Sequence, residues 1–378
     1  MQKTLLLSVL LLVSFSSFGQ WLNKGFTFET RARTYRVYVP TIYDASKPAS
    51  MVLTLHGLGD NIANFSQIGM NSIADTANII VVVPQALPDV LAGAAWNSGA
   101  GYFGYYPNAT INDVVFLSAL IDTVSANYAI DPNKVFSCGF SMGGFMTERL
   151  ACELNDKVKA FASVAGTFGQ GLPPCTPNRA VSVAHFHGTA DTVVPYDGPT
   201  PGLAVNSLMA FWATNNQCDA TPLQTNLPDT QNDGFTVEHY VYQNGLNNTN
   251  LELFKVNGAD HDWLTSANDI NYTREIWNFF RKQQFVATGV AHVALQNKVS
   301  VYPNPSNDLV MVDMAQLPAN KTYLLQLFDY SGKLVFAKNV AASTQQLSVK
   351  NMGLANGLYL LSISADEVKM SQTITVVR

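Results

Sequence analysis

The stretch "SCGFSMGGFM", residues 137–146, sets one hydroxyl among three glycines directly after a short apolar run. The pattern G-x-S-x-G has a physical reading when it follows a strand and opens a helix. The serine then sits at a sharp, strained turn, where side chains on its neighbours would clash. Gly139 and Gly143 make room at that turn, and Gly144 lets the next helix pack closely on the sheet. "KVFSC" reads as the strand and "MGGFMTERLACEL" as the helix, so Ser141 has the context that a nucleophile at such an elbow requires.

Outward from the elbow, short apolar strands alternate with helical patterns between Phe26 and about residue 285. "TYRVYVP", "MVLTLHG", "IIVVVP", "AFASVAG", "SVAHFHG" and "LELFKV" are nearly continuous in apolar residues, as strands buried on both faces of a largely parallel sheet are. "TINDVVFLSALIDTVSANY" carries a helical stripe of Val114, Leu117, Ile121, Val124 and Tyr128, with Thr110 and Asp113 at capping-box spacing. The alternation predicts an α/β fold. After Gln283 the helical period vanishes. "FVATGVAHVALQNK" reads as a linker, and beyond it come "LLQLFDYSGKLVFAK", "QQLSVKNM", "GLYLLSISA" and "SQTITVV", with Ser331-Gly332 as a hairpin turn. A small antiparallel β-sandwich is expected there.

The start of the chain reads as an export signal: Lys3, an apolar run from Leu5 to Phe18, then Ser17 and Gly19 as the small residues before Gln20. The run is too short to span a membrane comfortably, and no stable membrane span is expected in the mature form. The organisation expected is therefore a signal peptide over 1–19, an α/β domain over 20–285, a linker over 286–297 and a β domain over 298–378. With 378 residues, two domains are the ordinary expectation. A net charge of −5 gives no basic footprint, which argues against a nucleic-acid partner. Four cysteines enter an oxidising compartment, and three pairings are open. The one expected is Cys152–Cys175, a helix tied to the "GLPPC" loop; Cys138, on a strand, reads as a buried thiol.

A serine hydroxyl needs a general base, and an elbow of this kind expects the order serine, acid, histidine. Of six histidines, His261 in "NGADHDW" falls where the last catalytic loop should, directly after "LELFKV". His56 comes too early, and His185 and His187 lie in a strand, where core packing is the plainer reading. Asp191, just past "SVAHFHG", is the acid of choice over the more distant Asp197. Asp260 and Asp262 flank the histidine, but adjacent side chains point apart. His261 would take the proton from Ser141 while Asp191 orients its ring, so hydrolysis needs His261 neutral. The oxyanion donors expected are the amides of Met142 and of Leu58, in "LHGLGDN". In "AAWNSGAGYFGYYPN", Trp96 is expected to line the acyl or leaving-group pocket, with Trp263 on the same wall; loops at the carboxyl ends of parallel strands form the ligand crevice. Histidines are scattered and cysteines lack short paired spacings, so no metal and no cofactor is expected.

With these residues assembled, positions 26–285 resemble the secreted polyhydroxybutyrate depolymerase and feruloyl or acetylxylan esterase family of the α/β-hydrolase fold. The resemblance rests on "RTYRVYVP", "LHGLGDN", "INDVVFLSALIDTVSANYAIDPNKVFSCGFSMGGFM", "FHGTADTVVPYDG" and "GADHDWL". It implies a serine carboxylic-ester hydrolase with Ser141, Asp191 and His261 in the catalytic roles, acting on polymer-linked esters. "VYPNPSND", "FDYSGKLV", "GLYLLSIS" and the terminal "TITVVR" resemble a type IX secretion C-terminal sorting domain. That implies a Bacteroidetes-type bacterium and handling by the type IX machinery, with release or surface attachment. A serine peptidase of related fold is one competing reading; a non-catalytic surface adhesin, which would lack a triad member, is another.

Overall fold

A computed structural model describes residues 19–198, 201–283, 299–329, 333–365 and 368–377. The expected signal peptide (apart from Gly19), the whole of the linker and the Ser331-Gly332 turn lie outside the described residues. The chain divides into two compact units, one ending at Gln284 and the other beginning at Phe285.

The first unit contains β1 (Gln20–Phe28), β2 (Arg31–Val39), β3 (Ala49–Leu55), β4 (Ile79–Pro84), a two-strand ribbon of β5 (Pro88–Asp89) and β6 (Gly93–Ala94), then β7 (Ile130–Phe140), β8 (Ala160–Val164), β9 (Ser182–Gly188), β10 (Leu223–Asn226), β11 (Thr236–Tyr242) and β12 (Leu251–Asn257). Its helices are α1 (Ile62–Phe65), α2 (Met70–Ala77), α3 (Asp113–Asn127), α4 (Met142–Glu153), α5 (Val205–Asn216) and α6 (Tyr272–Arg281). One sheet runs β1-β2-β4-β3-β7-β8-β9-β12-β11-β10. Its centre from β4 to β12 is parallel, and an antiparallel pair extends each edge. Every residue of β3, β4, β8 and β9 is buried, as their unbroken apolar sequences require of strands covered on both faces.

The stripe read on α3 is buried from Val114 to Val124, with Tyr128 half-buried at the C-cap, but the N-cap differs from the expected box. Asn112 is the cap and its side chain accepts from the Val115 amide. Asp113 is turned inward instead, 2.7 Å from the Arg33 guanidinium and accepting from the Asn97 amide at 2.9 Å. A buried charge needs a partner, and this pair ties β2 to the first residue of α3. Cys152, near the end of α4, forms a disulfide with Cys175, while Cys138 on β7 is a buried free thiol that burial pushes up in pKa.

The strands of the second unit pair antiparallel, and a single parallel bridge joins Ser306 to Val376 among the described residues. β13 (Ser300–Tyr302), β14 (Leu309–Asp313) and β17 (Gln345–Ser348) make one sheet; β15 (Thr322–Phe328), β16 (Leu334–Ala341), β18 (Gly357–Ala365) and β19 (Val368–Val376) make the other. Alternate residues of β14 and β15 are buried. Val310, Val312, Leu325, Leu327, Leu361 and Ile363 share one core, the period-two pattern of two packed sheets.

Candidate active site

Ser141 stands between β7 and α4 with φ +54° and ψ −122°. A side chain is rarely held in that region, and such strain costs about 1–3 kcal/mol. Its surroundings leave no room to relax. A Cβ on Gly143 would meet the Leu55 carbonyl oxygen at 2.0 Å, so the first turn of α4 lies directly against the end of β3. The Ser141 amide donates to Val164 O at 2.8 Å, and its carbonyl accepts from Phe145 N at 2.9 Å. The glycines around the serine thus admit neighbouring backbone.

Asp191 and His261 come from the loops after β9 and β12, which pair in parallel. His261 Nδ1 lies 2.7 Å from Asp191 Oδ2. The carboxylate only accepts, so Nδ1 carries the proton and the neutral ring keeps its lone pair on Nε2. Asp191 Oδ1 accepts from the amides of Val193 at 2.9 Å and Val194 at 2.7 Å. Burial alone would raise the Asp191 pKa; donation by His187 and His261 and from the Val194 amide outweighs it, and the carboxyl is held well below its usual range. The ring of Phe140, the residue before Ser141, lies 4.8 Å from the His261 ring, centroid to centroid. The serine turn and the histidine loop therefore meet.

The rejected neighbours have other employment. Asp260 Oδ1 accepts from Thr192 N at 2.9 Å and Thr192 Oγ1 at 3.1 Å, which clips the histidine loop to the aspartate loop. Asp197 is exposed. Away from this loop, His239 of β11 pairs with Glu252 of β12 at 2.9 Å. His187, read as core, is wholly buried, yet its Nε2 lies 3.3 Å from Asp191 Oδ2.

The "LHGLGDN" loop reaches the serine. A Cβ on Gly57 would stand 3.4 Å from the Ser141 Cβ. Within the loop the Gly59 amide donates to Ala94 O and the Asp60 amide to Gly57 O, while among the described residues the Leu58 amide has no partner. Met142 opens α4, where a helix's first amides lack intrahelical acceptors. His56 braces this loop from behind. Its Nδ1 lies 2.7 Å from Gly57 O, so the other nitrogen, Nε2, accepts from Ala86 N at 3.1 Å; burial lowers its pKa.

Trp96 corrects the expectation placed on it. It is fully buried in the sheet's core, and its indole N–H donates to His56 O at 3.0 Å, so it supports the loop and presents no face to a ligand. The outward aromatics of that segment are Tyr102, Phe103 and Tyr105. The Tyr102 hydroxyl donates to Val193 O at 2.8 Å, two residues past Asp191, so this aromatic turn borders the aspartate loop. Trp263 is half-buried, its indole N–H donating to Thr273 Oγ1 at 2.9 Å and its ring 6.3 Å from Phe140. A cavity of about 580 Å³ opens further along α4, lined by Phe145, Phe168, Leu172, Phe211 and the disulfide; neither Ser141 nor His261 lines it. No group of histidine, cysteine and carboxylate side chains able to hold a metal exists among the described residues.

The phospholipase/carboxylesterase family model matches residues 39–235, a span that includes Ser141 and Asp191 and ends before His261. The model of the secretion system C-terminal sorting domain matches residues 300–377. The chain is 28% identical over 284 residues to feruloyl esterase D of Neurospora crassa, covering 70% of this chain and 88% of that protein. It is 28% identical over 249 residues to the bifunctional acetylxylan esterase/xylanase XynS20E of Neocallimastix patriciarum, covering 65% of this chain and 33% of that one. It also spans 42% of feruloyl esterase B of Piromyces equi. Among solved structures, the acetyl xylan esterase from Aspergillus awamori matches with a TM-score of 0.51 and 14% identity over 69% of this chain and 100% of that one, a likeness of fold.

Proposed function

Since the chain belongs to the phospholipase/carboxylesterase family, and is thereby a carboxylic-ester hydrolase carried outward by a type IX sorting domain, we propose that Ser141, His261 and Asp191 are its catalytic triad. The observation that carries this reading is the 2.7 Å bond from His261 Nδ1 to Asp191, made beside the strained turn that presents Ser141. Ser141 Oγ attacks the ester carbonyl while His261 Nε2 takes its proton. The tetrahedral oxyanion is met by the amides of Leu58 and Met142, preorganised donors that need no rearrangement as charge develops. His261 then protonates the leaving alcohol, and a water activated by the same nitrogen releases the acid from the acyl-enzyme. Asp191 stays charged throughout and holds the ring in one tautomer.

The substrates proposed are feruloyl or acetyl esters on plant polysaccharide. Support comes from the esterases among the relatives and from a secreted location, where such polymers are met. Tyr102 and Phe103, in place of Trp96, are the aromatics offered to the substrate, with Trp263 on the histidine side. A panel of methyl ferulate, acetylated xylan, p-nitrophenyl butyrate and poly(3-hydroxybutyrate) film separates the ester classes. Ser141→Ala is expected to lower kcat by roughly 10⁵-fold on every accepted ester. Turnover of the film alone would replace the polysaccharide reading with the polyester one, and peptide cleavage without ester cleavage would favour the peptidase.

A further inference from the structure

Behind Asp191 lies a row of buried polar groups that the triad leaves unused. A strand's period of two puts His185 and His187 of β9 on one face. His187 Nε2 is 2.7 Å from Val194 O and 3.3 Å from Asp191 Oδ2. His187 Nδ1 is 3.0 Å from His185 Nε2. His185 Nδ1 in turn faces Glu148 Oε1 of α4 across 3.9 Å, and Glu148 Oε2 accepts from Trp212 Nε1 of α5 at 2.9 Å. Glu148, His185, His187 and Trp212 are all fully buried.

The chemistry of the partners fixes where the protons are. The Val194 carbonyl can only accept, so His187 Nε2 carries a hydrogen and shares it with Asp191. In the neutral ring Nδ1 is then an acceptor, and His185 Nε2–H donates to it. His185 Nδ1 is left as an acceptor, and among the described residues neither it nor Glu148 Oε1 has a hydrogen-bond partner. At 3.9 Å the two stand just beyond hydrogen-bond reach, and one proton on the glutamate lets them close into a bond that serves both. Burial favours that arrangement: it pushes Glu148 up to about 8 and holds His185 far below its usual range.

We propose that Glu148, His185 and His187 are positioning residues for the triad, a buried relay in which the proton on Glu148 at one end and the Val194 carbonyl at the other hold every donor in one direction and keep an N–H aimed at the carboxylate that orients His261. This rests on the triad reading above. When the relay loses a proton, the Glu148 proton passes to His185 Nδ1 and the His185 Nε2 proton passes to His187 Nδ1. The His187 Nε2 proton leaves to hydroxide when local opening admits water, since the closed row is fully buried. Glu148 is then charged, and a bare nitrogen faces Val194 O and Asp191, which loses one of its donors. The other titratable groups packed here keep their charge through that change. Tyr196 lies 5.7 Å from the His187 ring, and burial raises it, as it does Tyr102 and Tyr272 near Asp191. Asp260 is held ionised, chiefly by the Thr192 amide.

The test is kcat and KM of the full chain for p-nitrophenyl acetate from about pH 5 to about pH 10, a range that brackets a glutamate raised this far. Wild type is expected to fall at least threefold on the alkaline side with a midpoint of about 8. In Glu148→Gln the amide N–H supplies the same donor in a form that cannot ionise, so the alkaline fall is lost. Glu148→Met supplies none, and is expected to lower kcat about tenfold at neutral pH with KM unchanged. An alkaline fall that persists in Glu148→Gln, or is missing from wild type, overturns the relay. A second reading needs no variant: nitrogen-15 spectra of wild-type histidines should show His187 protonated on Nε2 at neutral pH and on Nδ1 on the alkaline side, and one unchanging tautomer sinks the proposal. Ser141→Ala run alongside keeps the two ideas apart. If it retained turnover the triad would be lost, whereas an inactive Ser141→Ala beside an unaltered Glu148→Gln profile removes the relay alone.

Discussion

Asp191 accepts from two backbone amides and from His261 at 2.7–2.9 Å, with His187 a further donor, and its side chain is shut away from solvent. Some residues away, Phe103 stands fully exposed at the tip of the aromatic turn, beside Tyr102 and Tyr105. These two regions border the same site and are built on opposite terms. The acid side is over-determined, each polar atom fixed by several partners, so its geometry survives the charge changes of a reaction. The rim is anchored at a few points, chiefly Tyr102 to Val193 O and Tyr105 to Asp89, and spends its apolar surface on water. Chemistry of the kind proposed needs preorganisation, whereas a surface for the proposed polymer would need accessible area.

The sharpest way to break that contrast is at Asp191. Asp191→Asn keeps the shape but replaces a charged acceptor with an amide, and the His261 ring loses the partner that fixes its tautomer. A loss of about 10⁴-fold in kcat is expected, with KM little changed; a loss under tenfold would mean the carboxylate does not orient the base. The second largest effect concerns stability. The folded state raises Glu148 from 4.5 to about 8. A raised carboxyl contributes stability that is complete below its unfolded value and is lost as pH climbs through the folded one, because the unfolded chain releases that proton first. From these values the decline between pH 4.5 and about 8 amounts to at most about 5 kcal/mol. Glu148→Gln should flatten it, so the variant gains on wild type in urea denaturation at pH 8 relative to pH 5. An equal difference at both pH values would show that Glu148 ionises as freely in the fold as outside it.

Much of the architecture is readable without coordinates because its physics leaves a local trace. β3, β4, β8 and β9 are apolar end to end since both faces are covered. The glycines around Ser141 record backbone contacts that no side chain could permit. The order of serine, acid and histidine follows the order of strands in a parallel sheet. β1 leaves no such trace: it pairs only with β2 at the sheet's edge, most of it faces water, and its residues show no clean alternation. His187 misleads for a different reason. A histidine in an apolar strand looks like core, and it is core; its place two residues after His185 and four before Asp191 was the available signal. Trp96 is indistinguishable in sequence from its neighbours Tyr102 and Phe103, since an aromatic among glycines and serines reads alike whether it turns in or out.

The burial of Trp96 supports the third expected effect. Deleting a fully enclosed indole that also donates to His56 O removes packing and strands an acceptor. Trp96→Ala should cost about 3–5 kcal/mol of stability, measured by chemical denaturation, with one common fold-loss in activity on every ester once the folded fraction is corrected. Ester-selective changes in KM at full stability would return Trp96 to the pocket wall and turn the contrast between floor and rim around.

The smallest effect belongs to the rim itself. Phe103→Ser removes a side chain that buries almost nothing, so stability should move by no more than about 0.5 kcal/mol. If the aromatic turn meets polymer, a stacking contact of about 0.5–1.5 kcal/mol disappears, and KM for acetylated xylan should rise about two- to tenfold. A small soluble ester such as p-nitrophenyl acetate reaches Ser141 without covering the turn, and its kcat and KM should stay as they are. The two substrates read the two regions separately. Equal losses on both would place Phe103 within the braced part of the site, and no loss on either would leave the turn without a part in binding.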